Sequence, residues 1–242
     1  MRNIHFAVLS MLVVSAFLFQ AAVCATPSTV YWTAGTADIQ PYKVPHITVD
    51  NYVSDDSNFP PDFGLTVGLL PFERIQMEVG IDVLEPTDDP LYFNAKVGMP
   101  EGKMFDGSPA WSLGIWNLGT KRHVTDYDVL QVAFTKTLPN NLGRIHLGGY
   151  YGITDTLAIT ASDGDGDRGG FTVGYDKFIW KDKLMILADY ASGDNAIGGG
   201  GVGVGYYFTP DVAILTGPVW FNDKDLNGEW KWTVQVDVNV RF

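Results

Sequence analysis

The chain has 242 residues, 46% hydrophobic, 13% aromatic and only 18% charged, with 27 glycines and one cysteine. Its 28 acidic and 16 basic side chains leave a net charge of −12, which repels phosphate backbones and excludes nucleic acid as a partner. The aromatic content excludes a disordered chain, and a mean hydropathy of +0.04 is too low for a bundle of membrane-spanning helices. What remains is a soluble acidic β protein or a membrane β-barrel.

The first element is residues 1–25. Arg2 with His5, an apolar run from Phe6 to Phe19 and the small-residue end Ala21-Ala22-Val23-Cys24-Ala25 predict a cleavable signal peptide. Its removal takes away the sole cysteine, Cys24, and cysteine-free export suits the bacterial envelope. Residues 26–43 follow. Ser28 to Gln40 is strand-like, but counting it would give an odd strand number, so it is read as a periplasmic or lumen-entering extension. Pro41 and Pro45 separate it from the first strand; the alternative is that it extends that strand.

From residue 44 to 242 the period is two, and no segment has a convincing period of 3.6. The predicted strands are His46 to Val53, Phe63 to Leu70, Ile75 to Leu84, Leu91 to Gly98, Ala110 to Leu118 and Tyr127 to Leu138. Gly143 to Tyr151, Gly170 to Trp180, Lys183 to Tyr190, Gly199 to Phe208, Val212 to Phe221 and Lys231 to Phe242 complete the set. Two are weak: Ala110 to Leu118, and Val212 to Phe221, which contains Pro218 and is apolar on both faces. The last is the clearest. Trp232, Val234, Val236, Val238, Val240 and Phe242 alternate with Lys231, Thr233, Gln235, Asp237, Asn239 and Arg241. Such a strand fits lipid outside and a wet lumen inside, and a slip of one residue would place Lys231, Asp237 and Arg241 in hydrocarbon.

With its final aromatic residue, this strand resembles the C-terminal signature of Gram-negative outer-membrane β-barrel proteins. The resemblance implies that Phe242 is an assembly signal read by the barrel-assembly machinery. It covers this strand sharply and the rest by pattern.

Twelve strands with both termini in the periplasm place the longer connections outside, apart from the long periplasmic connection Met99 to Pro109. The outer connections hold most of the surplus acid: Asp55, Asp56 and Asp62; Glu85, Asp88 and Asp89; Asp155, Asp163, Asp165 and Asp167; Asp194; and Asp223, Asp225 and Glu229. The lumen is nearly balanced. Asp50, Glu78, Asp82, Asp176, Asp189 and Asp237 face Lys96, Arg144, Lys183, Lys231 and Arg241, with His146 titratable. These twelve residues predict either a salt-bridge network filling a narrow barrel or a polar pathway; the inward glycines favour an open bore. Trp111, Trp116, Trp180, Trp220, Trp230, Trp232, Tyr127, Tyr151 and Tyr190, near strand ends, predict interfacial girdles.

Asp163, Asp165 and Asp167 have the alternation of a calcium loop, but Arg168 and Gly174 stand where an EF-hand needs Gly and Glu. The expectation is at most a weak divalent-cation site and no other cofactor. Catalysis is not expected: His46, His123 and His146 lack a nearby serine in pattern, and no G-x-S-x-G motif or zinc spacing occurs.

The reading is an all-β, transmembrane, antiparallel up-and-down barrel, a monomer in the bacterial outer membrane in contact with lipid and lipopolysaccharide. Its expected function is a narrow channel for small hydrophilic solutes whose acidic outer rim favours cations. The alternative is a non-conducting structural or surface-interaction barrel meeting lipopolysaccharide and divalent ions. A minor alternative is an outer-membrane hydrolase.

Overall fold

The structure, a computed structural model, describes residues 29–54, 60–85 and 87–242. The leader at residues 1–25 and the outer-loop acids Asp55 and Asp56 lie outside them. Twelve strands run in chain order: β1 (Pro45–Val53), β2 (Asp62–Gly68), β3 (Gln76–Leu84), β4 (Leu91–Met99), β5 (Ala110–Gly119) and β6 (Val129–Thr137). Then come β7 (Arg144–Gly152), β8 (Gly169–Trp180), β9 (Leu184–Ala191), β10 (Gly199–Thr209), β11 (Val212–Phe221) and β12 (Trp230–Asn239). Each pairs antiparallel with its sequence neighbours, and β1 pairs with β12 from His46 opposite Asn239 to Val53 opposite Trp232. The sheet is therefore a closed barrel with no unpaired edge, as backbone surrounded by hydrocarbon requires.

Alternation decides the faces. On β12, Lys231, Thr233, Gln235, Asp237 and Asn239 are buried inside, while Trp232 and Val236 lie on the surface. Phe63, Leu65, Phe93, Phe134, Leu147 and Phe171 extend an exposed apolar band around the barrel. An apolar surface that continuous is untenable in water and matches lipid. Trp180, Trp220, Trp230 and Trp232 belong to the outer face, but Trp116 and Tyr127 line an interior cavity rather than the girdle.

Both weak segments have local causes. In β5 the register slips opposite Phe93–Ala95 and Asn117 takes a positive φ of 48°, a bulge that breaks the alternation. In β11 the inner residues Ala213, Leu215, Val219 and Phe221 are buried against an interior apolar cluster, so both faces of the strand meet apolar surroundings.

The end where β1 begins and β12 finishes is the lower end. The long connection 100–109 lies there and is tied to the rim: Glu101 pairs with Lys136 at 2.7 Å and accepts hydrogen bonds from Thr137 N and Thr137 Oγ1. Partial burial pushes the Glu101 carboxyl up, but the hydrogen bonds from Lys136 and Thr137 outweigh it and hold the group below its ordinary value. A depressed carboxylate pKa stabilises the fold above the ordinary value of 4.5 and loses that contribution as pH falls through the folded-state value. The contribution is small, at most ~1 kcal/mol for a partly exposed pair. Hydrogen exchange at the Thr137 amide is expected to quicken as pH drops below that range, after correction for intrinsic rates. Glu101→Gln should make it fast throughout; an acid dependence unchanged in the variant would refute the assignment.

Candidate functional site: a lined and partly filled lumen

Residues 29–44 run inside the barrel. From Pro45 the segment crosses the lower half of the bore: Tyr42 bridges to Gly68 of β2 and Gln40 N donates to Glu78 of β3 at 2.5 Å. Asp38 then meets Arg144 of β7 at 2.9 Å, Ala37 N donates to Thr135 Oγ1 of β6, and Ser112 Oγ of β5 donates to the Thr36 carbonyl. Beyond this the segment reaches β9–β12 and folds into a tight loop closed by Val30 N to the Ala34 carbonyl.

One acceptor organises that loop. Asp189 Oδ2 accepts from the N–H groups of Tyr31, Trp32, Thr33 and Ala34 at 3.1, 2.8, 2.8 and 2.9 Å. Four donors curled around one carboxylate oxygen form a backbone nest for an anion. Gln235 Nε2 donates to the Tyr31 carbonyl, and Val30, Tyr31 and Ala34 join Met185, Leu187, Tyr207 and the inner face of β11 in an apolar cluster. The wall is shaped to receive them. A Cβ on Gly203 would stand 2.5 Å from the Tyr31 ring, one on Gly201 2.7 Å from it, and one on Gly174 2.6 Å from Val30.

Most inward charges are paired. Arg144 forks onto Asp176, with Nη2 to Oδ2 at 2.6 Å, and His146, fully buried, lies 3.0 Å from the same oxygen and 2.9 Å from Thr135 Oγ1. Lys96 pairs with Glu78 at 3.1 Å, and His46 lies 3.3 Å from Asp237. Lys231 is fully buried beside Ser54 Oγ at 3.3 Å and the Phe221 ring. Lys183 and Arg241 are at the lower rim instead: Lys183 Nζ donates to the Tyr207 and Phe208 carbonyls, and Arg241, beyond β12, pairs with Asp211. Asp62, assigned to a loop by pattern, begins β2 and faces inward opposite Asp50. Among the described residues, eight inward carboxylates thus face three inward Lys and Arg side chains, so the lumen is more acidic than alternation alone suggests.

The segment leaves a cavity of about 450 Å³, chiefly against β1–β5, lined from the upper loops down to His46 and Glu78. Asp50, Asp62 and Asp82 stand on its wall; Thr48 donates to Asp50 at 2.9 Å and Asn94 to Asp82. The upper loops fold over the opposite side. Leu157, in the helical turn Thr156–Ile159, is buried with Val129, Tyr150 and Ala191, and Asn195 ties Tyr150 to the Asp167 carbonyl.

The remaining candidate residues do not assemble. Asp163 accepts from Asp165 N, Asp167 accepts from Asp194 N, and among the described residues no three His, Cys, Asp or Glu side chains form a group able to hold a metal. His123 lies on the exposed upper loop 3.6 Å from Asp155.

No family model matches the chain, and no curated protein matches its sequence. Solved structures match in fold. One, from a study of the mechanism of in-meso crystallization of membrane proteins, aligns with a TM-score of 0.54 at 13% identity over 82% of this chain and 84% of that one. The KdgM porin aligns with a TM-score of 0.53 at 8% identity over 82% of this chain and 99% of its own. The chain thus shares the closed β-barrel fold of these two structures.

The docking of residues 29–44 is testable by thiol labelling of Thr36→Cys, with native Cys24 replaced by Ala. Thr36 is buried, so labelling of the otherwise native barrel should be slow. Asp189→Ala strands four donors at about 1–3 kcal/mol each if they stay dry, and should speed labelling by about tenfold or more. Gly203→Val should act in the same direction through the Tyr31 ring. Equal labelling in all three backgrounds would show that the segment is not held there.

Proposed function

We propose that the protein is a narrow outer-membrane channel for small hydrophilic solutes, that it favours cations, and that residues 29–44 set its bore. The observation that carries this reading is the cavity left between that segment and β1–β5, with Asp50, Asp62 and Asp82 on its wall. Carboxylates on a low-dielectric wall raise local cation concentration and repel anions. On this reading the lower end faces the periplasm, lipopolysaccharide and lipid surround the outer band, and Phe242, exposed beyond β12, is offered to the assembly machinery.

A non-conducting barrel is the second reading, favoured by the contacts that residues 36–42 make across the lower half of the bore. Planar-bilayer recording separates the two. The native protein is expected to show small, cation-preferring steps, and deletion of residues 29–40 should enlarge them several-fold. The double substitution Asp50→Asn with Asp82→Asn should lower the cation preference without abolishing conduction. Anion preference or silence of the native protein would overturn the channel reading.

A further inference from the structure

Three of the eight inward carboxylates differ from the rest. Asp38 and Asp176 meet Arg144, Glu78 meets Lys96, Asp189 takes four N–H groups and Asp237 lies against His46. Among the described residues no basic side chain pairs with Asp50, Asp62 or Asp82, and all three line the same cavity. Asp62 Oδ1 is shielded from solvent and has no hydrogen-bond donor among the described residues.

The register makes the arrangement costly. Asp50 and Asp62 are directly opposite across β1 and β2, and Asp82 pairs with Gly64, two residues along from Asp62, on the same inner face. Opposed side chains on one face have Cβ atoms about 5 Å apart and diagonal ones about 7 Å, and directly opposed like charges destabilise a sheet. Thr48 and Asn94 give Asp50 and Asp82 hydrogen bonds but no positive charge, so the counter-charge of these three comes from outside the wall.

The surroundings restrict which cation fits. The three carboxylates are not grouped closely enough to hold a metal ion. Tyr92, Trp116 and Tyr127 line the same cavity, and aromatic faces attract organic cations. The volume of about 450 Å³ lies in the range of small-molecule sites, roughly 300–1,000 Å³. We infer that this cavity is a binding site for a small organic dication, a short alkyl chain with an ammonium group at each end. The two ammonium groups sit on the Asp50–Asp62 pair and on Asp82, and the methylene chain lies along the aromatic side chains. This inference deepens the channel reading by naming its preferred solute class, and it rests on that reading only for transport.

The test is calorimetric titration of the purified full-length barrel with putrescine, and with butanediol, propylamine and magnesium as separate probes. Putrescine is expected to bind one to one, more tightly than propylamine or magnesium, with no binding of butanediol. Asp62→Asn and Asp82→Asn should each weaken putrescine by about tenfold or more, the loss carried by one charge-assisted hydrogen bond. Asp163→Asn with Asp165→Asn, on the upper loop, should leave it unchanged. Both lumen variants remove like-charge repulsion, so they should fold at least as stably as the native chain, which keeps the comparison valid. Equal binding by native and lumen variants, no binding, or magnesium binding as tightly as putrescine would each overturn the site. Bilayer recording keeps the two readings apart: conduction that putrescine does not reduce defeats this inference alone, whereas putrescine binding by a silent barrel defeats the channel reading alone.

Discussion

The interior of this barrel depends on Asp189. A carboxylate on the inner face of a strand has lost most of its water, and the cost of that loss must be met by charge or by hydrogen bonds. Here the compensation is local backbone: four consecutive N–H groups of residues 31–34 close on one oxygen. The exchange is mutual, because residues inside a barrel cannot pair those N–H groups in a ladder. Removing either partner strands the other, so the segment and the wall form one folding unit although about 155 residues separate them in sequence.

That contact divides the lumen into two unlike halves. On the side of β8–β12 the wall provides glycines and apolar side chains, and Val30, Tyr31 and Ala34 fill the space to form a small dry core. On the side of β1–β5 the wall remains polar and the space remains hollow. The Arg144 cluster joins the two, since one guanidinium binds Asp176 of the wall and Asp38 of the segment. Breaking such a buried pair by removing one member costs about 3–5 kcal/mol, so this cluster fixes where the segment crosses as well as holding it.

The outer face was legible in sequence because lipid imposes one rule on every second residue; the observed strands follow the predicted segments closely. The inner face obeys no single rule. Gly174 and Gly203 suggest an open bore when read as missing volume, but Val30 and the Tyr31 ring occupy that volume. Val212 to Phe221 looks like a poor strand because its inner residues pack on a segment remote in sequence. Asp62 passes for a loop residue because it opens its strand, and Lys183 and Arg241 keep the alternation while the chain is already leaving the sheet. Each case turns on a contact partner that periodicity cannot name.

Filling half of a barrel changes the remaining half. In a wide aqueous pore a wall carboxylate is screened by water and salt on its open side, and beyond roughly 8 Å at physiological ionic strength it has little influence. With the segment in place, the space beside Asp50, Asp62 and Asp82 is bounded on its far side by protein, including Tyr31 and Trp32. Less water stands between those charges and any solute, so the effective dielectric falls and each carboxylate acts more strongly on what enters. Twelve strands alone would give a bore with weak preferences. The segment seated on Asp189 lets three acidic side chains on the opposite wall dominate the space that is left.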